Sequence, residues 1–230
     1  MAHNQKTAVI AGVGPGLGAS LCRIYIAEGY QVYALARTNK NASLDKGTRF
    51  IAVDLTDEAA VQAAFQQVLA ETGRIDSAIY NASGMVISEF AGLSASDFEA
   101  LWKVSTLGAF LFAQQALAPM AAAGNGALLF TGATASIKGG ANFAAFASAK
   151  FALRGLAQSL AREYGPKGVH IVHTLIDGII WSDRARDMFG MTEDTSMNPD
   201  AIAAAYFDVA HQHKSAWTHE LDLRPYCEKF

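Results

Sequence analysis

The chain has 230 residues, 51% of them hydrophobic and 17% charged, with a formal net charge of -3 at pH 7. A chain of this size can bury a large core without a metal or disulfide staple, and its sparse, scattered charge excludes a nucleic-acid footprint or a basic membrane-surface face. Its histidines show no shared ligand spacing on one helix face, so no metal site is expected.

In chain order, short apolar runs alternate with segments of helical period. Residues 6–12 (KTAVIAG) predict a buried strand, and 17–29 a helix with apolar positions three and four apart, ending at Gly29. Residues 31–37 and 48–55 predict strands two and three. A helix over 57–73 follows, with Thr56 as its cap, and then strand four over 75–82. Residues 94–120 predict one long helix opened by a Ser/Asp-rich cap, 126–132 strand five, 142–165 a second long helix and 168–178 strand six. The polar, Met-rich stretch 181–198 is the least regular. It reads either as a lid over a site or as an ordinary surface connection, with Met188, Met191 and Met197 as an adaptable apolar cover or as scattered surface residues. A helix over 199–212 starts at Pro199, and 216–225 predicts the last strand.

This alternation implies parallel strands covered on both faces, an α/β doubly wound sheet of about seven strands flanked by helices. No repeat or linker interrupts it, so residues 1–230 are expected to form a single domain. Cys22 falls on an apolar helical pattern and Cys227 lies at the far end, which fits a reducing compartment. Residues 1–6 lack a signal-peptide layout and no apolar run reads as long enough to span a membrane. The cytoplasm is the expected location, with neither membrane nor nucleic acid as partner.

Strand one runs directly into AGVGPGLG, so Gly12, Gly14, Gly16 and Gly18 lie between a strand and a helix. A tight glycine turn feeding a helix N-terminus lets backbone N–H groups approach a pyrophosphate closely, and four alternating glycines exceed what a simple turn needs. The pattern from Ala11-Gly12 to Gly18 resembles that of the short-chain dehydrogenase/reductase family, departing only at its first position. VDLTD puts Asp54 and Leu55 after strand three, where that family contacts the adenine. YNASG, with Asn81 and Ala82, resembles its Asn-Asn-Ala-Gly element with two substitutions. LIDG resembles its Pro-Gly element, with Asp177 in place of Pro and Gly178 following. The resemblance implies a Rossmann-type domain binding a nicotinamide dinucleotide through Gly12, Gly14, Gly16, Leu17, Gly18, Arg37, Asp54, Leu55, Asn81, Ala82, Lys150 and Gly178. It also implies a small-molecule substrate and a homodimer or homotetramer.

Strand two ends in ALAR, with Ala36 where an acidic residue would grip a ribose 2′-hydroxyl and Arg37 next to it. Without a carboxylate to repel it, a 2′-phosphate can pair with the guanidinium. NADP(H) is therefore expected in preference to NAD(H), with Thr38, Asn39 and Lys40 as helpers. The other reading makes Arg37 a solvated residue stacking on adenine, equally suited to NAD(H). The short polar connection from Arg37 to strand three implies that one family helix is missing there.

The family reduces carbonyls with a Tyr that donates the proton, a Ser that hydrogen-bonds the oxygen, a Lys that lowers the Tyr pKa and holds the ribose, and an Asn that positions a water. Carried over by position, Lys150 matches the Lys. The Tyr position is Phe146, the Ser position Ala133 and the Asn position Ser105. Thr134, Ser136, Ser148 or Tyr80 could supply a hydroxyl, and Asp177 or Asp183 an acid or base, although loop acids are more often simply solvated. Lys150, Thr134 and Ser105 are the catalytic candidates. Two functions remain open. One is an atypical NADP(H)-dependent oxidoreductase acting on a small apolar carbonyl or enoyl substrate. The other is a catalytically impaired NAD(P)-binding protein acting as a sensor or partner.

Overall fold

Strand β1 (Thr7–Ala11) is buried along its whole length, as are β4 (Ser77–Tyr80) and β6 (Val169–Ile176), so these apolar runs have a helix layer on each side. The computed structural model describes residues 5–38, 44 and 46–228, with the side chain of Arg184 excepted. Together with β2 (Gln31–Ala36), β3 (Thr48–Ala52), β5 (Gly126–Thr131) and β7 (Glu220–Leu223), these strands form one seven-stranded parallel sheet in the order β3-β2-β1-β4-β5-β6-β7.

Helices α1 (Leu17–Ala27) and α7 (Pro199–Ala210) cover one face through Leu21, Tyr25, Ile202 and Tyr206. Helices α2 (Glu58–Thr72), α4 (Gly108–Ala123) and α5 (Ala144–Tyr164) cover the other through Val61, Phe65, Phe112, Leu117 and Leu153. Phe112 stands edge-on to both Phe65 and Tyr80, with ring centroids 5.1 and 5.4 Å away, a favoured geometry for buried aromatic rings. The α/β doubly wound sheet read from the periodicity is therefore the observed architecture.

Local details differ from the sequence reading, each for a physical reason. Asp57, not Thr56, caps α2, its carboxylate accepting from the Ala60 amide at 3.1 Å; Thr56 instead donates its backbone N–H and hydroxyl to Asp54. The long helix predicted over 94–120 is interrupted. Helix α3 (Ala95–Trp102) passes through a π turn (Lys103–Leu107) into α4. Inside that turn the Val104 carbonyl accepts from the Tyr80 hydroxyl at 2.5 Å, while the Thr106 hydroxyl donates to the Ala149 carbonyl at 3.0 Å. The Tyr80 bond takes up a carbonyl that a regular helical ladder would have used. The helical run 95–123 is also long and apolar enough to cross a membrane by length and composition, which the sequence reading did not find, and half of its apolar window is buried in the core.

Within 181–198 a short helix α6 (Asp183–Phe189) forms, capped by the Ser182 hydroxyl and closed at Gly190. The last strand is shorter than 216–225 because only Glu220–Leu223 reaches β6. Cys22 is buried and Cys227 exposed. The helix expected to be missing between Arg37 and β3, with Asn39 and Lys40, falls outside the described residues.

His173 on β6 is 1 % exposed, and its Nε2 has no hydrogen-bond partner among the described residues. Burial pushes its pKa from 6.5 down to about 4, against the opposing pull of Glu220. Between those two values the unfolded chain takes a proton that the folded chain refuses. The folded state is therefore fully favoured above pH 6.5 and loses about 3 kcal/mol as the pH falls to 4. Urea unfolding across this range should show that loss, and His173→Gln should remove most of it. A slope unchanged in the variant would assign it to other groups.

Candidate active site

From β1 the chain moves outward to β2 and β3, and then crosses to β4 and proceeds the other way. The C-terminal ends of β1 and β4 thus border the crevice where open α/β sheets bind ligands. Two glycines build the turn above β1. Gly12 has φ +81°, and a Cβ there would fall on the Ala82 amide nitrogen and 2.5 Å from Ala82 Cα. A Cβ on Gly18 would lie 2.6 Å from Val13 Cα. The other two are open: a Cβ on Gly14 meets nothing within 4 Å, and one on Gly16 meets only the Trp181 carbonyl oxygen at 3.8 Å. Gly16 caps α1 with no side-chain bond to its first turn. Backbone free of side chains, set at a helix N-terminus in the crevice, is a cradle that fits phosphate groups.

Asn81 ties the two strand ends together. Its amide group donates to the Gly12 carbonyl at 3.0 Å and its backbone N–H to Ala11 at 2.9 Å. Ala82 packs directly beneath Gly12. Leu17 and Leu55 bury their side chains in the two cores, leaving only their backbones to face a ligand. Arg37 is exposed at the end of β2. Asp54 accepts from the Thr56 N–H and hydroxyl at 2.9 and 2.7 Å. Those bonds, with a smaller contribution from Arg37, hold its carboxyl below the usual range. Gly178 is confined by Pro225 and Met197, which a Cβ there would approach to 2.8 and 3.1 Å.

Beside the glycine turn opens a cavity of about 810 Å³. Its apolar walls include Phe143, Phe146, Ile179, Met188, Phe189 and Met191; Ser83, Thr134, Lys138, Lys150 and Asp177 supply polar groups. The stretch 181–198 forms one wall, as a cover over a site would, but Met197 is buried in the α1/α7 core and takes no part. Lys150, 3 % exposed, donates to the Thr131 carbonyl at 2.7 Å, and burial pushes its pKa down to about 8. One helical turn earlier, Phe146 is 8 % exposed and packs with Leu101, Ala133 and Phe143; the Lys150 ammonium lies 5.6 Å from its ring centroid.

The hydroxyl candidates separate clearly. Thr134 lines the cavity and donates to Asp177. Ser105 is fully buried in the π turn and reaches the cavity only through Ser83, at an Oγ–Oγ distance of 3.1 Å. Ser136 is buried, accepting from the Ala133 N–H. Ser148 is exposed, with its hydroxyl on the Ala145 carbonyl, and Tyr80 is fully buried in the core beneath α4, its hydroxyl on the Val104 carbonyl and its pKa raised by burial. Among the described residues, no Tyr lines the cavity. Asp183 lies on exposed α6 and pairs with Arg186. Of the polar wall residues, Ser83 was not named by the sequence reading, and Asp177 was offered as an acid or base but not among the catalytic candidates. Their signal was position: Asp177 directly follows β6 and Ser83 lies in the loop just past Asn81 and Ala82 at the end of β4, both on the ligand side of the sheet.

A family model described as short chain dehydrogenase matches residues 6–189. A 3-phenylpropionate-dihydrodiol/cinnamic acid-dihydrodiol dehydrogenase of Escherichia coli O157:H7 is 32% identical over 215 residues, 88% of this chain and 78% of its own length. Among solved structures, a short-chain dehydrogenase from Rhodopseudomonas palustris superposes with a TM-score of 0.83 at 34% identity, covering 96% of this chain and 99% of that one. A metagenomic short-chain oxidoreductase in complex with NADP superposes with a TM-score of 0.83 at 24% identity, covering 97% and 98% of the two chains.

Proposed function

The chain belongs to the short-chain dehydrogenase family, and on that premise we propose that it is an oxidoreductase that binds NADP(H) in preference to NAD(H) and acts on a small apolar carbonyl or enoyl substrate. The observation that carries this reading is the turn after β1, where Gly12 and Gly18 fit against neighbouring backbone while Gly14 and Gly16 stay open at the start of α1. A nicotinamide bound there would supply or accept hydride. Gly14, Gly16 and the first turn of α1 would hold its phosphates, Arg37 a 2′-phosphate, and Asn81 keeps the two strand ends in register beneath it. Lys150, a buried ammonium on the wall, would hold the nicotinamide ribose and bring positive charge to the reacting end.

The site is atypical in its proton source, with apolar Phe146 and Ala133 at the positions where the family resemblance calls for Tyr and Ser. That packing also supports a second reading, a dinucleotide-binding protein with little turnover. Exposed Phe110 on α4 and Phe151 on α5 support a homodimer or homotetramer formed through these helices.

Calorimetric titration tests the cofactor reading. NADPH is expected to bind at least about tenfold tighter than NADH, an advantage worth about 1.4 kcal/mol, and Arg37→Ala should remove most of it. If neither dinucleotide binds, the reading of the glycine turn fails; if NADH binds tighter, the role given to Arg37 fails.

A further inference from the structure

One hydrogen bond in the cavity has a fixed direction. Thr134 Oγ1 donates to Asp177 Oδ1, and the second carboxylate oxygen, Oδ2, faces the Arg224 guanidinium at 3.3 Å. The Asp177 side chain is only 13 % exposed. The three residues come from separate parts of the chain: the turn after β5, the end of β6, and the segment just past β7. A carboxylate paired with a guanidinium offers acceptors and no donor. Thr134 has a single hydroxyl proton, and Asp177 takes it. What Thr134 turns toward the cavity is lone pairs.

This polarity discriminates between the two members of a carbonyl–alcohol pair. A carbonyl oxygen also presents only lone pairs, so against Thr134 it loses its hydrogen bond to water and gains none. An alcohol O–H finds an oriented acceptor whose own hydrogen bond to a carboxylate strengthens it. The buried Lys150 ammonium gives one of its three donors to the Thr131 carbonyl, and the discrimination argued for Thr134 is local to that hydroxyl. Around this polar spot stand Phe143, Phe146, Met188 and Phe189, which suit an apolar ligand body.

We propose that Thr134 and Asp177 form a hydroxyl-recognition element, and that the ligand of this cavity is an alcohol with an apolar body, its O–H directed at Thr134 Oγ1. The proposal rests on the oxidoreductase reading of the same cavity and names the side of the redox couple that it binds.

A matched pair of probes tests it: 1-phenylethanol and acetophenone, titrated by calorimetry into the full chain with and without NADP+. The alcohol should bind about tenfold tighter, the size of one satisfied against one unsatisfied hydrogen bond. Thr134→Val keeps the shape and removes the acceptor, and should bring the ratio to about one. Asp177→Asn, whose amide can donate to Thr134 and release its proton toward the cavity, should reverse the preference. If that variant does not fold, Thr134→Val decides alone. Equal binding, preference for the ketone, binding of neither probe by the wild type, or a ratio unmoved in Thr134→Val would overturn the proposal. NADPH binding is read separately. Its absence beside an intact alcohol preference removes the oxidoreductase reading and keeps the recognition element, whereas its presence without that preference removes the recognition element alone.

Discussion

Gly12→Ala is expected to abolish measurable NADPH binding and to lower the melting temperature by about 10 °C. Two effects act together. The residue sits at φ +81°, a conformation that costs an L-side chain about 1–2 kcal/mol. The added methyl would also fall on the Ala82 amide, 2.5 Å from Ala82 Cα and 2.6 Å from the Asn81 carbonyl carbon, and forced overpacking costs about 1–3 kcal/mol more. These neighbours are backbone, so no rotamer change can relieve the clash. The turn must lift away from β4, breaking the Asn81 bond to Gly12 that aligns the two sides of the crevice. Gly14→Ala is the control. Its Cβ meets nothing within 4 Å, so the melting temperature should hold to within about 2 °C while the methyl occupies phosphate space and NADPH affinity falls about tenfold. Differential scanning calorimetry and NADPH titration of both variants check this. Wild-type affinity in Gly12→Ala would show that the dinucleotide does not use this turn.

Phe146→Tyr combined with Ala133→Ser should raise NADPH-dependent reduction of acetophenone by about 10²-fold or more. Phe146 already lines the cavity one turn before Lys150, with the ammonium 5.6 Å from its ring centroid. A phenol there would add a donor to a wall that now offers a carbonyl oxygen little, and the neighbouring positive charge would lower the phenol pKa. Ala133 packs against the cluster that contains Phe146, so a hydroxyl at that position would be added beside it. Each single change should give far less than the pair, because a proton donor and an oxyanion donor act as a unit. Initial rates of NADPH oxidation for the four combinations check this. No gain in the double variant would mean that the cavity does not hold the ketone against the cofactor.

The periodicity of the sequence was enough for the sheet and its helices. An apolar run such as VHIVHTLI can be buried only between two layers, and the helix-period segments between such runs supply them. The glycine turn was legible for a similar reason, since alternating glycines between a strand and a helix have few other uses. The residue identities also put Phe and Ala at 146 and 133, where the family resemblance implies Tyr and Ser.

Pattern could not show which residues distant in the chain would meet. The π turn at Lys103–Leu107 exists beside Tyr80, 24 residues upstream of the carbonyl it bonds. Asp177 changes from a loop acid to a cavity wall only because β5, β6 and β7 lie side by side, bringing Thr134 and Arg224 to its two oxygens. Tyr80 and Met197 were removed from the site by the cores they fill, Tyr80 with its hydroxyl on the Val104 carbonyl. Burial periodicity is local and is written along the chain. The direction of a hydrogen bond, and the side of the sheet on which a hydroxyl emerges, depend on strand order and register, which are set only when the whole sheet has closed.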